Sequence, residues 1–151
     1  MADEQEMRVQ CFQWLSRFYS NIYTNAALDI IVPQIGVTSV FVAFEQLATA
    51  QVLVDVRASV LEDVQVSEAL IQYLGWNATA FKMGALGLQS DAQGAWLTFS
   101  YALYGETVTQ QLINQVVAVV ADTANHLARQ LQPRFGGDFL HPENAGGLDV
   151  R

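Results

Sequence analysis

Few side chains in this sequence stand where reacting groups would need them. The two histidines are His126, in a segment with helical spacing, and His141, in a segment rich in glycine and proline. No serine, cysteine or carboxylate stands at a spacing that would make His126 a general base for a nucleophile. The single cysteine, Cys11, falls on the apolar stripe of the first predicted helix, so we expect a buried and unreactive thiol. The sequence therefore predicts no catalytic residues and a protein that is not an enzyme.

Metal and cofactor sites are not predicted either. The sequence has no glycine-rich phosphate loop, no HExxH, no GxSxG and no CxxC pattern. Two histidines and one distant cysteine do not give the ligand spacing of a zinc site. Glu62 and Asp63 are adjacent, but calcium requires more oxygen ligands at set spacing. We therefore expect no metal and no cofactor.

Charge and composition narrow the class of partner. The chain has 151 residues, a net charge of −8, 52% apolar residues and 15% charged residues. The net charge argues against nucleic acid and against an anionic membrane, since both require clustered Lys and Arg. The low charged fraction means that much apolar surface is buried or shared with a partner. The lone cysteine and the acidic N-terminus, where a secretion signal would be basic, predict a cytoplasmic protein.

Apolar spacing predicts three helices and four or five strands. Residues 3–27 carry apolar side chains at steps of three and four, and Pro33 and Gly36 break the pattern. Ser67 is expected to cap a short helix that ends at Gly75, and Thr107 a long helix that ends before Pro133. β-branched and aromatic residues predict strands over 37–44, 51–58, 79–88 and 95–104, with a possible fifth extended piece over 59–66.

These elements predict an α+β fold with an antiparallel sheet, in the order α-β-β-(β)-α-β-β-α. The two strands that flank the turn-rich residues 89–94 are expected to form a hairpin. Residues 1–132 are expected to form a single domain, and residues 133–151 a flexible tail rich in glycine and proline.

Strand alternation separates the side chains into two sets. Asp55, Arg57 and Lys82 mark the side of the sheet that faces solvent. Alternation then assigns to that side a set of large apolar and aromatic residues, namely Leu53, Leu86, Leu88, Trp96 and Tyr104. Such a set exceeds the scattered exposed residues of an ordinary surface, and a partner or a helix is expected to cover it.

The sequence also resembles YbjN-like and type III secretion chaperone-like proteins over residues 3–131. The hairpin residues 81–88 and 95–103 and the start of the last helix at 106–112 carry this resemblance, and some small cyanobacterial proteins show the same pattern. The resemblance implies a small acidic α+β fold, often dimeric, in a family that includes peptide-binding chaperones. It supplies no catalytic residues.

Three functions fit these observations. The first is a non-enzymatic protein- or peptide-binding module that acts as a homodimer on a client, and an exposed apolar sheet face favours it. The second is a small-molecule-sensing or regulatory domain, which a pocket with convergent polar groups favours. The third is an unfamiliar enzyme, which a cluster of titratable groups favours. The first is the prediction adopted.

Overall fold

The computed structural model describes residues 3–145 of the chain, and it is an α+β fold, as predicted. Its helices are α1 (Glu4–Ser16), α2 (Glu68–Trp76) and α3 (Gln110–Phe135), with short 3-10 helices at Gly105–Thr107 and Pro142–Asn144. Its strands are β1 (Tyr23–Thr24), β2 (Ile30–Ile35), β3 (Thr38–Gln46), β4 (Val52–Leu61), β5 (Ala85–Asp91) and β6 (Gly94–Tyr104). They form one antiparallel sheet in the order β1-β2-β3-β4-β6-β5.

Helix α1 is shorter than the predicted 3–27. Asp3 caps it by accepting a hydrogen bond at Oδ1 from the backbone N–H of Glu6, at 2.7 Å. The apolar spacing continues past Ser16, but Asn21 has a φ of 62° and turns the chain into the sheet. Asn is one of the few residues that tolerate this left-handed conformation. Helical periodicity alone therefore overestimated the length of α1.

The predicted break around Pro33 is in fact strand β2. A proline lacks the N–H that a central strand donates, so it normally sits at an edge or a bulge. The pairing of β2 with β3 shifts between Val32 and Ile35, which places Pro33 at such an irregularity. The sheet gains β1 and β2 over the prediction and has six strands instead of four or five.

The β5–β6 hairpin is confirmed, but β5 begins at Ala85 instead of residue 79. Gly84 precedes it with a φ of +82°, a conformation that suits glycine. A Cβ at Gly84 would lie 2.7 Å from Cζ of Phe99 and 2.7 Å from the backbone oxygen of Ser100. The close approach requires glycine at this position, and the regular strand begins only after it.

The cap of α2 at Ser67 is confirmed, because its Oγ accepts from the N–H of Leu70 at 3.1 Å. Gly75 does not end α2. The helix continues to Trp76, and Asn77 closes it with its Nδ2 donating to the carbonyl of Tyr73 at 2.8 Å.

Helix α3 is shifted relative to its prediction. Thr109, not Thr107, caps it by accepting from the N–H of Leu112 at 3.1 Å. Pro133 does not stop it, because a proline in the last turn removes one hydrogen bond without ending the packing. The helix ends after Phe135, where Gly136 has a φ of 73°.

The core lies between one face of the sheet, here called the inner face, and helices α1 and α3. Every fourth residue of α1 is buried at Met7, Cys11 and Leu15. Asn125, a buried polar residue of α3, ties the helix to the β2–β3 turn. Its Oδ1 accepts from the N–H of Val37 at 2.8 Å, and its Nδ2 donates to the carbonyl of Ile35 at 2.9 Å.

The segment after α3 crosses the end of the sheet. Glu62 and Asp138 exchange two backbone hydrogen bonds of 2.8 Å, and Phe139 packs against the core. These contacts argue against the flexibility expected for residues 133–145. Residues 146–151 of the expected tail lie outside the described part of the chain.

Candidate functional site

The side of the sheet that faces away from α1 and α3 is here called the outer face. In β4, Val54 and Val56 are buried, whereas Leu53, Asp55 and Arg57 are only half-buried. The alternation predicted for this strand is therefore confirmed. No helix within residues 3–145 packs its buried side chains on the outer face, because those side chains join the single core on the inner face.

Two aromatic residues lie near opposite ends of β6 on this face. Tyr104 is 51% exposed and pairs directly with Leu53, so their side chains are neighbours. Trp96 is half-buried, and its Nε1 donates to Oε1 of Gln89 at 3.0 Å. Eight positions separate the two aromatic residues, which corresponds to about 26 Å along a strand.

The floor between these aromatic residues consists of small side chains. Thr98, Ser100 and Ala102 occupy the outward positions of β6. Ala85 and Gly87 pair with Ser100 and Thr98 and extend the floor onto β5. The result is a shallow strip with a large ring near each end, long enough for an extended segment of about eight residues.

One charged pair borders the strip. Nη2 of Arg57 lies 3.5 Å from Oδ2 of Asp55. Burial raises the pKa of the Asp55 carboxyl, Arg57 lowers it, and the nearby carboxylates of Glu45 and Asp29 raise it further. A partner that covers this carboxylate must replace the hydrogen bonds that water forms with it.

Leu86 and Leu88 do not belong to the outer face. Leu86 pairs with Phe99 and Leu88 with Leu97, and these partners are buried on the inner face. Directly paired residues share a face, so both leucines point toward the helices. The prediction counted alternation from Lys82, which lies before the bend at Gly84 and outside the strand.

Helix α2 carries an exposed apolar patch that the sequence pattern did not predict. Trp76 is 88% exposed, and Ile71 is also exposed, while Leu70 is the buried residue of the helix. The sequence predicted this helix from its cap at Ser67 and its expected end at Gly75, and these signals do not indicate which side the helix buries.

A groove of about 380 Å³ runs beside α1. It is lined by Gln5, Arg8, Val9, Phe12, Gln13, Thr24 and Leu28. Arg8 lies over the ring of Phe44, with 5.0 Å from its Cζ to the ring centroid. Its Nη1 donates to the backbone carbonyl of Leu28, and its Nη2 lies 3.5 Å from Oε1 of Glu4.

The structure places His141 beside residues that the sequence did not connect to it. His141 Nε2 lies 2.7 Å from Oγ of Ser39, and its Nδ1 lies 3.4 Å from Oε1 of Glu143. The types match a serine–histidine–carboxylate triad, but Ser39 is almost fully buried and its Oγ also accepts from the N–H of Gln34. A substrate carbonyl needs access to the oxygen. We interpret the contact as one that holds the C-terminal segment against β3.

The remaining reactive candidates stay isolated. Cys11 is buried, and burial raises the pKa of its thiol to about 12, so it remains protonated at neutral pH. His126 is exposed on α3. Within the described residues, no group of three or more His, Cys, Asp or Glu side chains is arranged to hold a metal ion. None of the helices in residues 3–145 is long and apolar enough to span a membrane.

Comparison with known proteins identifies a family for this arrangement. A family model described as "T3SS (YopN, CesT) and YbjN peptide-binding chaperone 1", or TY-Chap1, matches residues 23–143. Among solved structures, the chain is similar to YbjN of E. coli, titled a putative transcription regulator. The TM-score is 0.57 at 12% identity, over 87% of this chain and 92% of that chain, so the likeness shows the fold. No curated protein matches the sequence.

Proposed function

This chain belongs to the TY-Chap1 family of peptide-binding chaperones, and we propose that it is a non-enzymatic protein that binds an extended segment of a client on the outer face of its sheet. The observation that carries the proposal is the strip of small residues with Trp96 and Tyr104 near its ends. A segment lying along it could place one large side chain against each ring. Its backbone would approach the small residues between them.

Of the residues predicted to bind a partner, Leu53, Trp96 and Tyr104 form this proposed site. Leu86 and Leu88 point to the inner face, and we propose a supporting role for them, since they hold β5 on the core. Aromatic residues are prominent among the side chains that carry binding energy at interfaces. We therefore expect the two rings to dominate client affinity.

The test uses a library of unstructured peptides of about twelve residues, with binding measured by fluorescence anisotropy. Trp96→Ala should weaken the best peptide by roughly thirtyfold, which corresponds to about 2 kcal/mol. Trp76→Ala is the matched control, because it removes an exposed tryptophan from α2, outside the outer face. Its affinity should equal that of the wild type.

Either of two results would count against the outer face. If Trp76→Ala loses binding and Trp96→Ala keeps it, the client binds the α2 patch. If Trp96→Ala lowers the melting temperature sharply, its ring is a core element instead of a contact surface. Circular dichroism of both variants therefore accompanies the binding measurement.

We also propose that the protein is a cytoplasmic homodimer. The low charged fraction supports a second subunit, because apolar surface outside the client strip must also be buried or shared, and two-fold dimers are the commonest assembly. Light scattering at micromolar concentration should give about twice the chain mass of 16.6 kDa. A mass equal to one chain at every concentration contradicts the dimer.

A regulatory or small-molecule-sensing role is the second candidate. The E. coli structure is titled a putative transcription regulator, and this chain has a groove beside α1 that the outer face does not share. A small molecule in that groove would leave the outer face accessible to a client.

A further inference from the structure

The groove beside α1 has the size and lining of a small-molecule site. Its volume of about 380 Å³ lies in the range of ligand pockets, about 300–1,000 Å³. Five of its lining residues belong to α1, which precedes the region 23–143 that the family model matches. The groove therefore depends on a part of this chain that the family model does not describe.

Arg8 supplies the charge of this groove. Among the residues that line it, all within the described part of the chain, Arg8 alone is charged. Its side chain is only 14% exposed, and its contact with Glu4 is 3.5 Å long. A strong charge-assisted hydrogen bond spans about 2.7–2.9 Å, so the ion pair with the more exposed Glu4 is weak. Because Arg8 lies over the Phe44 ring, N–H groups at the edge of its guanidinium can reach a second carboxylate.

Exposed apolar side chains line the groove beside this charge. Val9 is 48% exposed and Leu28 is 53% exposed, although both are apolar. Leu28 also has a φ of 65°, a conformation that is costly for a bulky residue. Its N–H donates to the carbonyl of Asn25 at 2.9 Å, and its own carbonyl accepts from Arg8. In this conformation the side chain of Leu28 is one of the residues that line the groove.

We propose that this groove binds a small monocarboxylic acid with an apolar chain. The carboxylate replaces Glu4 at the guanidinium of Arg8, and the chain lies against Val9, Phe12 and Leu28. The amides of Gln5 and Gln13 also line the groove and are uncharged, so Arg8 meets no competing charge among the lining residues. This site is separate from the outer face, so it does not depend on the peptide-binding function proposed above.

The test is a titration of the full chain, followed by two-dimensional amide NMR, with three probes of equal chain length: octanoate, octan-1-ol and octylamine. Octanoate should shift the amides of residues 5–13 and 24–28 in a saturable manner. Octan-1-ol should bind at least about tenfold more weakly, because it lacks the charge that Arg8 recognises. Octylamine should bind more weakly still. Equal affinity for octanoate and octan-1-ol overturns the proposal, as do shifts confined to α2 or to the outer face.

Two variants locate the site. Val9→Gln removes apolar surface from the groove and replaces valine with a better helix former. It should weaken the binding of octanoate by at least about fivefold. Val119→Gln makes the same change at an exposed valine of α3 and should leave the affinity unchanged. Arg8→Gln should abolish the preference for octanoate over octan-1-ol. If Arg8→Gln fails to fold, the affinities of the three probes for the wild type and for Val9→Gln still test whether the groove binds the carboxylate. Unchanged octanoate affinity in Val9→Gln, or an equal loss in Val119→Gln, overturns the groove as the site.

Discussion

Replacement of Asn125 by alanine should strongly destabilise the protein. Asn125 is 8% exposed and forms hydrogen bonds of 2.8 and 2.9 Å with the backbone of Val37 and Ile35. Asn125→Ala leaves the buried N–H of Val37 and the part-buried carbonyl of Ile35 without their side-chain partner. Each buried group left unpaired costs about 1–3 kcal/mol, so for the two groups we expect a loss of about 2–6 kcal/mol in the free energy of unfolding.

The loss converts to a measurable melting temperature. For a chain of this size, 1 kcal/mol corresponds to about 2–4 °C, so Asn125→Ala should melt roughly 4–24 °C below the wild type. Thermal unfolding followed by circular dichroism gives this value, and guanidinium titration gives the midpoint independently. The two methods should rank the variants in the same order.

Asn114→Ala is the control on the same helix. Oδ1 of Asn114 is buried without a hydrogen-bond partner among the described residues, so its removal takes no bond away. Alanine is also the better helix former. The melting temperature of Asn114→Ala should therefore equal or exceed that of the wild type. If Asn125→Ala melts within about 2 °C of the wild type, water replaces the side chain and the reasoning is wrong.

Three further predictions follow from the same structure. Gly84→Ala should lose at least about 2 kcal/mol of stability, because its Cβ would overlap Phe99. Gly75→Ala, in the last turn of α2 with nothing within 4 Å, should gain up to about 1 kcal/mol, and equal effects of the two changes in chemical denaturation would contradict the close approach at Gly84. Removal of residues 137–151 should lower the melting temperature by several degrees, since Phe139 packs on the core, and an unchanged value would show that the segment is flexible. Burial raises the pKa of Asp55, so the folded state binds the proton of this carboxyl more tightly than the unfolded chain does. The contribution of protonated Asp55 to stability is therefore greatest below the unfolded pKa, and it decreases as the pH rises through the folded pKa. Relative to Asp55→Asn, the wild type should lose stability as the pH rises above the unfolded pKa of an aspartate, about 3.9, and parallel pH profiles would refute the shift.

The sequence alone determined the class of fold and much of its layout. Periodicity located α1, α2, α3 and the central strands, and alternation placed Leu53, Trp96 and Tyr104 on one face correctly. These signals succeed because each depends on neighbouring residues in a single element. Ser67 was identified as a cap for the same reason, since its bond to Leu70 spans one helical turn.

Features that depend on strand pairing or on contacts between distant residues were decided only by the tertiary structure. The side chosen by Leu86 and Leu88 follows from the register of β5 against β6, and a shift of one residue inverts every side chain of a strand. The bend at Gly84 uncoupled that register from Lys82, so counting along the sequence failed. The groove beside α1 likewise needs Arg8 and Leu28, which are twenty positions apart and meet only when the first turn after α1 folds back. No local pattern records such a contact, because its energy comes from groups that only the folded chain brings together.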